Sequence, residues 1–339
     1  MIGMPTTPVR LTIGEARALG ERALRASGYT AQDSASIADH LIDCELRGLE
    51  YSGLARIPSI DERLSAVGSA PEPTRITRES PVSAQIEGGD RIGYLVAAEA
   101  TELAITKAAT TGLAAVGANR TWYTGMLSYY AERITAAGFV AFLASNATPW
   151  VAPVGGTQAM FGTNPICFGF PSTGAPVIWD IGISEIIHAQ AMLAHRTGQP
   201  LPPGVAYDTD GHPTIDPLEA LGGAFVNWGG HRGSGLGVVV QLLGALAGSP
   251  VLPGHLRDFG FFVIAVSPDL FGDADEFSGK VTEYAKALSA SRPLDPAHPV
   301  RAPFARSTSL RSARRMADLL EVPVEIVDAV TAIASRPAR

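Results

Sequence analysis

The sequence predicts an α/β fold in which a helical domain is interrupted by one inserted sheet domain. Two observations predict it. Helical patterns occupy both ends of the 339-residue chain, and the middle alternates short apolar, β-rich runs with amphipathic helical stretches. We therefore assign residues 1–75 to the helical domain, 76–284 to the sheet domain, and 285–339 to a segment that returns to the helical domain.

The N-terminal elements are predicted by their caps. Thr12 and Glu15 form a capping box that begins a first helix, which closes at Gly28. A second helix begins at Thr30 and carries apolar residues at helical spacing. A linker-like stretch, SAPEPTRITRESP, then separates the helical part from the first strand, VSAQIEGG.

The central elements follow from apolar runs. After the long helix IGYLVAAEATELAITKAATTG, a helix around LSYYAERITAA lies between two β-rich runs, GLAAVGAN and GFVAFLASNA. Further buried strands are predicted at ICFGFP, PVIWDIG and FFVIAVSP. VNWGGHRGSGLGVVVQLLGALAG indicates a glycine loop that leads into a helix, and SARRMADLLEVPVEIVDAVTAIA is helical again.

Composition excludes several classes of function. A net charge of −7 argues against binding nucleic acid, and 46% hydrophobic with 17% charged residues is typical of a globular chain. The N-terminus lacks a signal peptide and no apolar run is long enough to span a membrane, so we expect a cytoplasmic protein. Cys44 and Cys167 are expected to be buried free thiols, and the spacing of the histidines indicates no metal site.

Three stretches carry candidate chemistry. Arg47 and Arg56 bracket Ser52, which resembles the rim of an anion site. Asp180 ends an apolar strand, where a carboxylate is unexpected unless it is paired or functional. In HRGSGLG, Arg232 and backbone amides could meet a phosphate at a helix start, although tight glycine packing explains the pattern about equally well. FGTNPICFGFP, taken alone, is a structural turn.

Over nearly its full length the chain resembles the malate/L-lactate dehydrogenase-like family. This family also holds sulfolactate, ureidoglycolate and diketogulonate dehydrogenases and the piperideine-carboxylate reductases. The resembling stretches are LRGLEYSGLARIP, NRTWYTGMLSYYAE, GGTQAMFGTNPICFGFP, VIWDIGIS, GQPLPPGVAYDTDGHPTIDPLEALGG, GGHRGSGLGVVVQLL and SPDLFGDADEF. The resemblance implies a homodimer with a non-Rossmann nucleotide-binding sheet domain (the malate/L-sulfolactate dehydrogenase-like fold), NAD or NADP as cofactor, and hydride transfer next to a substrate carboxylate.

The resemblance also implies roles for individual residues. Arg47, Arg56, Thr163 and Asn164 would bind the substrate, and Ser52, Tyr123 and Asp180 would occupy the catalytic positions. The cofactor would be lined by Asp180, Ile181, Gly182, Ser184, His231, Arg232, Phe304, Ala305 and Arg306.

The chain departs from the family pattern at several positions that the resemblance assigns to the active site. Ser52 takes the place of the histidine that protonates the substrate oxygen, and Tyr123 takes that of a second active-site histidine. Arg232, Ser234 and Gln190 replace a lysine, a tyrosine and a second lysine. A serine hydroxyl is too weakly acidic to replace imidazole unaided.

Three functions therefore remain open. The first is an NAD(P)H-dependent reductase of a C=N or C=O bond next to a carboxylate, for which a cyclic imine, already protonated, would need only hydride. The second is a conventional 2-hydroxy-acid dehydrogenase in which Tyr123 is the acid. The third is a family member repurposed to non-redox chemistry or catalytically silent. In each case the expected partner is a small carboxylate, with no nucleic acid and no membrane.

Overall fold

The computed structural model describes residues 8–68 and 70–337, which form eleven strands and eleven helices. The strands are β1 Val9–Leu11, β2 Arg75–Ser80, β3 Ser83–Ile92, β4 Leu113–Trp122, β5 Val140–Ser145, β6 Ile166–Phe170, β7 Val177–Ile181, β8 Ala206–Tyr207, β9 Ala224–Phe225, β10 Phe259–Val266 and β11 Leu320–Val322. The helices are α1 Ile13–Ala26, α2 Ala31–Leu46, α3 Arg56–Val67, α4 Gly93–Thr111, α5 Leu127–Ala136, α6 His188–Arg196, α7 Pro217–Gly222, α8 His231–Leu246, α9 Ala274–Ser289, α10 Ala305–Ala317 and α11 Val324–Ala334.

The central sheet has seven strands in the order β2-β3-β4-β10-β5-β6-β7. Only β3 and β4 pair in parallel, and every other neighbouring pair in this sheet is antiparallel. A Rossmann domain is built on a mostly parallel sheet, so the predicted α/β, non-Rossmann fold class is confirmed. Helices α4 and α5 pack on one face of the sheet, and α8 packs against β5 and β10.

The two ends of the chain meet in one helical unit. Strand β1 pairs antiparallel with β11, and α11 packs against α1 and α3. Ile326, Val330 and Ile333 of α11 belong to the same buried cluster as Leu24 and Leu41 near the N-terminus. The helical unit is therefore discontinuous in sequence, while the boundaries at residues 75 and 285 stay predictions.

Local signals located several elements correctly. The capping box between Thr12 and Glu15 is present, and the Thr30 side chain caps α2 by accepting the Asp33 N–H. Cys44 and Cys167 are free and buried. Among the described residues, no helix is both long and apolar enough to cross a bilayer.

Three predicted segments were wrong. The linker contains β2, an exposed edge strand whose charged residues hid its pairing with β3. The glycine loop is largely the first turns of α8, where Gly233 and Gly237 lie so close to the Trp228 carbonyl and the Phe161 ring that a Cβ atom would clash. Strand β11 interrupts the predicted C-terminal helix. Its partner β1 lies at the other end of the chain, so no local pattern indicates the pairing.

Candidate active site

A cavity of about 250 Å³ opens where the α2–α3 turn faces the ends of β4 and β7 and the start of α6. Its lining combines aromatic rings with a few polar groups. The lining residues are Leu49, Tyr51, Ser52, Arg56, Tyr94, Tyr123, Thr124, Gly125, Met126, Ser145, Asn146, Ala147, Trp150, Thr163, Pro165, Asp180, Gly182, Ile187, His188, Ala189 and Phe259. We call this space the first cavity.

Arg56 is the one arginine or lysine among these lining residues. It is the first residue of α3, is 6% exposed, and holds its guanidinium carbon 3.9 Å from the centre of the Tyr123 ring. Its Nη1 has no hydrogen-bond partner, and no carboxylate in the described part of the chain lies within ion-pair distance. The other buried arginines, Arg47 and Arg63, each bond a carboxylate. A buried, uncompensated guanidinium is costly, so Arg56 favours an anion in the cavity.

Ser52 and Tyr123 reach the same cavity from two different turns. Ser52 ends a short 3-10 turn, Glu50–Ser52, which joins α2 to α3. Tyr123 follows β4 with a φ of 52°, in the left-handed region, and its buried hydroxyl has no partner. Ser52 and Tyr123, which the resemblance assigns to catalytic positions, therefore line the same cavity as Arg56.

Glu45 holds the turn that carries Ser52. Its carboxylate accepts the Leu54 N–H at 2.8 Å and fills the space that a Cβ on Gly53 would need. Burial raises the pKa of Glu45 to about 8, opposed in part by that hydrogen bond. The turn is thus fixed by a carboxyl group that tends to keep its proton.

His188 is a lining residue that the analysis of sequence missed. It is the first residue of α6, its ring stacks on Trp150 at a centroid distance of 4.3 Å, and its buried Nδ1 has no partner. Burial lowers the pKa of His188 well below its usual value, and the nearby charges of Arg56, His255 and Arg196 lower it further. In the sequence, the available signal was a histidine eight residues after Asp180 and four after Ser184, both assigned to the site.

Asp180 stands between the first cavity and a second one. Its Oδ2 accepts the Ser128 N–H at 2.7 Å, so the carboxylate caps the start of α5. Burial raises the pKa of Asp180, against the opposing effect of hydrogen bonds from Ser128 and Leu127. The strand-ending carboxylate is therefore paired, and it is also exposed to both cavities.

The second cavity has a volume of about 350 Å³ and shares part of its lining with the first cavity. Leu49, Met126 and Asp180 line both spaces. The remaining residues of the second cavity are Arg47, Gly48, Ser128, Ile178, Trp179, Pro303, Phe304, Arg306, Ser307 and Leu310.

The structure separates the two arginines that were predicted to frame one carboxylate. Arg47 contacts the second cavity, and its guanidinium stacks on the Phe304 ring at 4.4 Å. It donates to Asp43 at 2.6 Å and also to Glu132. These two carboxylates compensate the charge of Arg47. Of the two predicted arginines, only Arg56 lines the first cavity.

Of the other two predicted substrate residues, Thr163 lines the first cavity and Asn164 does not. Thr163 and Gly182 line the first cavity, with Gly182 having been assigned to the cofactor. Asn164 is buried away from it, with a φ of 36°, and donates to the Gly237 carbonyl and to Gln241 at 2.8 and 2.9 Å. Asn164 thus fixes the turn before β6 against α8.

The predicted cofactor residues do not all converge. Phe304 and Arg306 line the second cavity, with Ala305 between them at the start of α10. Ile181 packs beside β6 and α8, and the buried Ser184 hydroxyl has no partner. His231 and Arg232 are exposed at the start of α8 and line neither cavity. In residues 8–68 and 70–337, no cluster of three or more His, Cys, Asp or Glu side chains could hold a metal ion.

The structure thus combines an α/β fold with two adjoining cavities, one of which contains the buried Arg56. The chain belongs to the malate/L-lactate dehydrogenase family, whose model matches residues 11–331. It is 31% identical over 336 residues to the (2R)-3-sulfolactate dehydrogenase (NADP(+)) of Chromohalobacter salexigens, which covers 96% of this chain and 98% of that one.

Two further relatives extend the comparison. The Δ1-pyrroline-2-carboxylate/Δ1-piperideine-2-carboxylate reductase of Pseudomonas aeruginosa is 33% identical over 238 residues, covering 69% of this chain and 71% of the relative. The crystal structure of a dehydrogenase from Sinorhizobium meliloti superposes with a TM-score of 0.90 at 31% identity, covering 97% of this chain and 99% of that one. The chain is therefore an oxidoreductase from a family of pyridine-nucleotide-dependent enzymes that act on hydroxy or oxo carboxylates and, in one relative, an imine carboxylate.

Proposed function

We propose that this enzyme is an NAD(P)H-dependent reductase of a C=N or C=O bond next to a carboxylate. The observation that carries the proposal is Arg56, a buried guanidinium in the first cavity with an unpartnered Nη1 and no acidic partner among the described residues. A substrate carboxylate would supply the missing anion through charge-assisted hydrogen bonds. The substrate carbon next to that carboxylate would then lie inside the same cavity.

The rest of the lining supports a substrate with one carboxylate and an apolar remainder. Tyr51, Tyr94, Tyr123, Trp150 and Phe259 provide aromatic surface, while no lining residue besides Arg56 is an arginine or lysine. A second carboxylate or a sulfonate would be desolvated there without a cation to pair with it. Cyclic imine carboxylates and 2-oxo acids with apolar side chains fit this lining.

The lining of the second cavity supports the proposal that a nucleotide binds there. Arg306 is exposed at this cavity, and Trp179 and Phe304 offer ring surfaces. These groups suit phosphates and an aromatic base, and Asp180 lies where the two cavities meet. When bound, a reduced nicotinamide supplies the hydride. Titration with both nucleotides distinguishes a preference for NAD from one for NADP.

The runner-up is a conventional 2-hydroxy-acid dehydrogenase with Tyr123 as the acid. The observation in its favour is the unpartnered Tyr123 hydroxyl, buried in the first cavity beneath Arg56. A phenol in this position has no protein partner to compete with a substrate oxygen. A silent or non-redox family member is the third candidate.

A fluorescence titration with NADH and NADPH, followed by a substrate panel, tests these functions. We expect nucleotide binding and faster turnover of monocarboxylic imines or 2-oxo acids than of oxaloacetate, which carries a second carboxylate. Arg306→Ala should weaken nucleotide affinity, whereas Arg78→Ala, on the exposed edge strand β2, serves as the matched control. If neither nucleotide binds the wild type, the redox function is excluded. Tight binding without turnover of any substrate would instead identify a silent or repurposed enzyme.

We further propose that the enzyme acts as a homodimer in the cytoplasm. The two buried free thiols fit a reducing compartment. The family resemblance and the exposed apolar face of α8 support the dimer.

A further inference from the structure

The first cavity contains a titratable group that the proposed function does not yet use. His188 is the one histidine among its lining residues. We propose that His188 exchanges the proton with the substrate oxygen, in place of the histidine that the family carries at Ser52. The inference rests on the proposed function and assigns the missing acid to a position outside the family's pattern.

His188 and Arg56 both lie next to the ring of Tyr123. The Tyr123 ring lies 3.9 Å from the Arg56 guanidinium carbon and 6.3 Å from the His188 ring centre. A carboxylate on Arg56 would therefore bring its neighbouring carbon and oxygen into the space that His188 also lines. Stacking on Trp150 fixes the plane of the imidazole.

The helix that carries His188 is tied directly to the helix that carries Arg56. Arg196, at the end of α6, donates to the Ala55 carbonyl at 3.2 Å, to Ser59 Oγ at 3.0 Å and to Glu62 at 2.8 Å. Helix α6 also packs against the turn that carries Ser52. The imidazole is thus held opposite the turn from which the family histidine is absent.

Several side chains face the His188 imidazole. Arg56 faces it from α3, His255 from the segment before β10, and Arg196 from its own helix, while Tyr123 and Trp150 contribute neutral rings. Burial first, and then these groups, hold the pKa of His188 well below its usual value, which favours the neutral imidazole. A bound carboxylate would offset the charge of Arg56, so substrate binding should make the protonated imidazole easier to form.

The step balances with the hydride that the reduced nicotinamide supplies. The carbonyl carbon receives the hydride, the C=O π bond breaks, and the oxygen receives a proton as an N–H bond of the His188 imidazolium breaks. The products are a 2-hydroxy acid, oxidised nicotinamide and neutral imidazole. In the reverse direction neutral His188 accepts the hydroxyl proton. A protonated cyclic imine needs no such donor, because hydride alone converts it to the amine.

This difference between substrates provides the experiment. His188→Gln should lower kcat for 2-oxo acid reduction by about 10²–10⁴-fold, with little change in KM, and should leave cyclic imine turnover within a few-fold. His195→Gln is the matched control, because His195 lies on the same helix but is exposed and outside the cavity. In the wild type, kcat/KM for 2-oxo acid reduction should fall as pH rises through the pKa of His188, and that for 2-hydroxy acid oxidation should rise.

A second measurement follows the imidazole itself. In ¹⁵N-histidine NMR, the His188 resonance is identified by its loss in His188→Gln. It should indicate neutral imidazole at pH 7 in the free protein and move toward imidazolium when oxamate, a non-reducible 2-oxo acid analogue, is added with NADH.

The outcomes separate the two hypotheses. His188→Gln with normal 2-oxo acid turnover, an equal loss for both substrates, or a resonance insensitive to oxamate overturns the role of His188 and leaves the reductase function standing. A wild type that reduces imines but no 2-oxo acid also overturns it. If the wild type binds no nucleotide or reduces neither substrate, the proposed function fails, and the proton donor with it.

Discussion

At the scale of single residues, we expect Arg56 to bind the substrate carboxylate while lowering the free energy of unfolding. Arg56→Met removes a buried charge without a carboxylate partner, so the free energy of unfolding in urea should stay level or rise by about 1 kcal/mol. The same change should lower kcat/KM by roughly 10²-fold or more, because the substrate carboxylate loses its cation. Arg63→Met is the control: Arg63 is equally buried but bonds Asp90, so its loss should cost about 3–5 kcal/mol of stability. Full activity in folded Arg56→Met would remove Arg56 from the site.

A histidine at position 52 tests whether an imidazole on the α2–α3 turn can act as the acid. Ser52→His should raise 2-oxo acid turnover and leave imine turnover nearly unchanged, because a second imidazole would line the same cavity. In the His188→Gln background the substitution should restore part of the lost rate. Steady-state kinetics of the single and double variants measure this. Should Tyr123→Phe abolish turnover while His188→Gln does not, Tyr123 is the acid instead.

At the scale of the element, the α2–α3 turn should respond to pH through Glu45. Its pKa is raised to about 8 in the folded protein, above the ordinary value of 4.5, so the folded state keeps its proton longer than the unfolded state. Stability should therefore fall as pH rises between about 4.5 and 8, by at most about 1.4 kcal/mol per pH unit, and level off outside this window.

Glu45→Gln isolates this effect. The amide oxygen can still accept the Leu54 N–H, but the side chain no longer titrates. Urea unfolding across pH 4–9 should show the wild type losing stability relative to the variant as pH rises. Parallel curves for the two proteins would mean that Glu45 ionises in the folded state as easily as in the unfolded one.

At the scale of the whole molecule, α8 exposes an apolar face that we expect a second copy of the chain to cover. Val238, Val239, Leu242 and Leu246 are each about half exposed or more, while the opposite face packs on the sheet. A helix that is apolar all round is normally buried. Light scattering should show a dimer at micromolar concentration, and Leu242→Glu should yield a folded monomer. Met316→Glu, at an exposed methionine on α10, should leave the assembly intact. A monomeric wild type would contradict the expectation.

Sequence determined the elements whose signals are local. The Thr12 capping box, the Thr30 cap and the buried strands were visible in short windows, because caps and side-chain periodicity depend on neighbouring residues. The closeness of Ser52 and Arg56 was also visible, since one tight turn joins them. Resemblance to the family then supplied the class of reaction.

Tertiary structure decided which distant groups share a cavity. His188 and Arg56 share a cavity, and Arg196 bonds α6 to the start of α3. Arg47 lies outside that cavity, where it bonds Asp43 and Glu132. The pairing of β1 with β11 likewise joins opposite ends of the chain. No local pattern encodes such contacts, because residues far apart in sequence meet through packing and charge compensation. The sequence alone therefore determined the fold class and the kind of chemistry, whereas the structure decided which side chains can perform it.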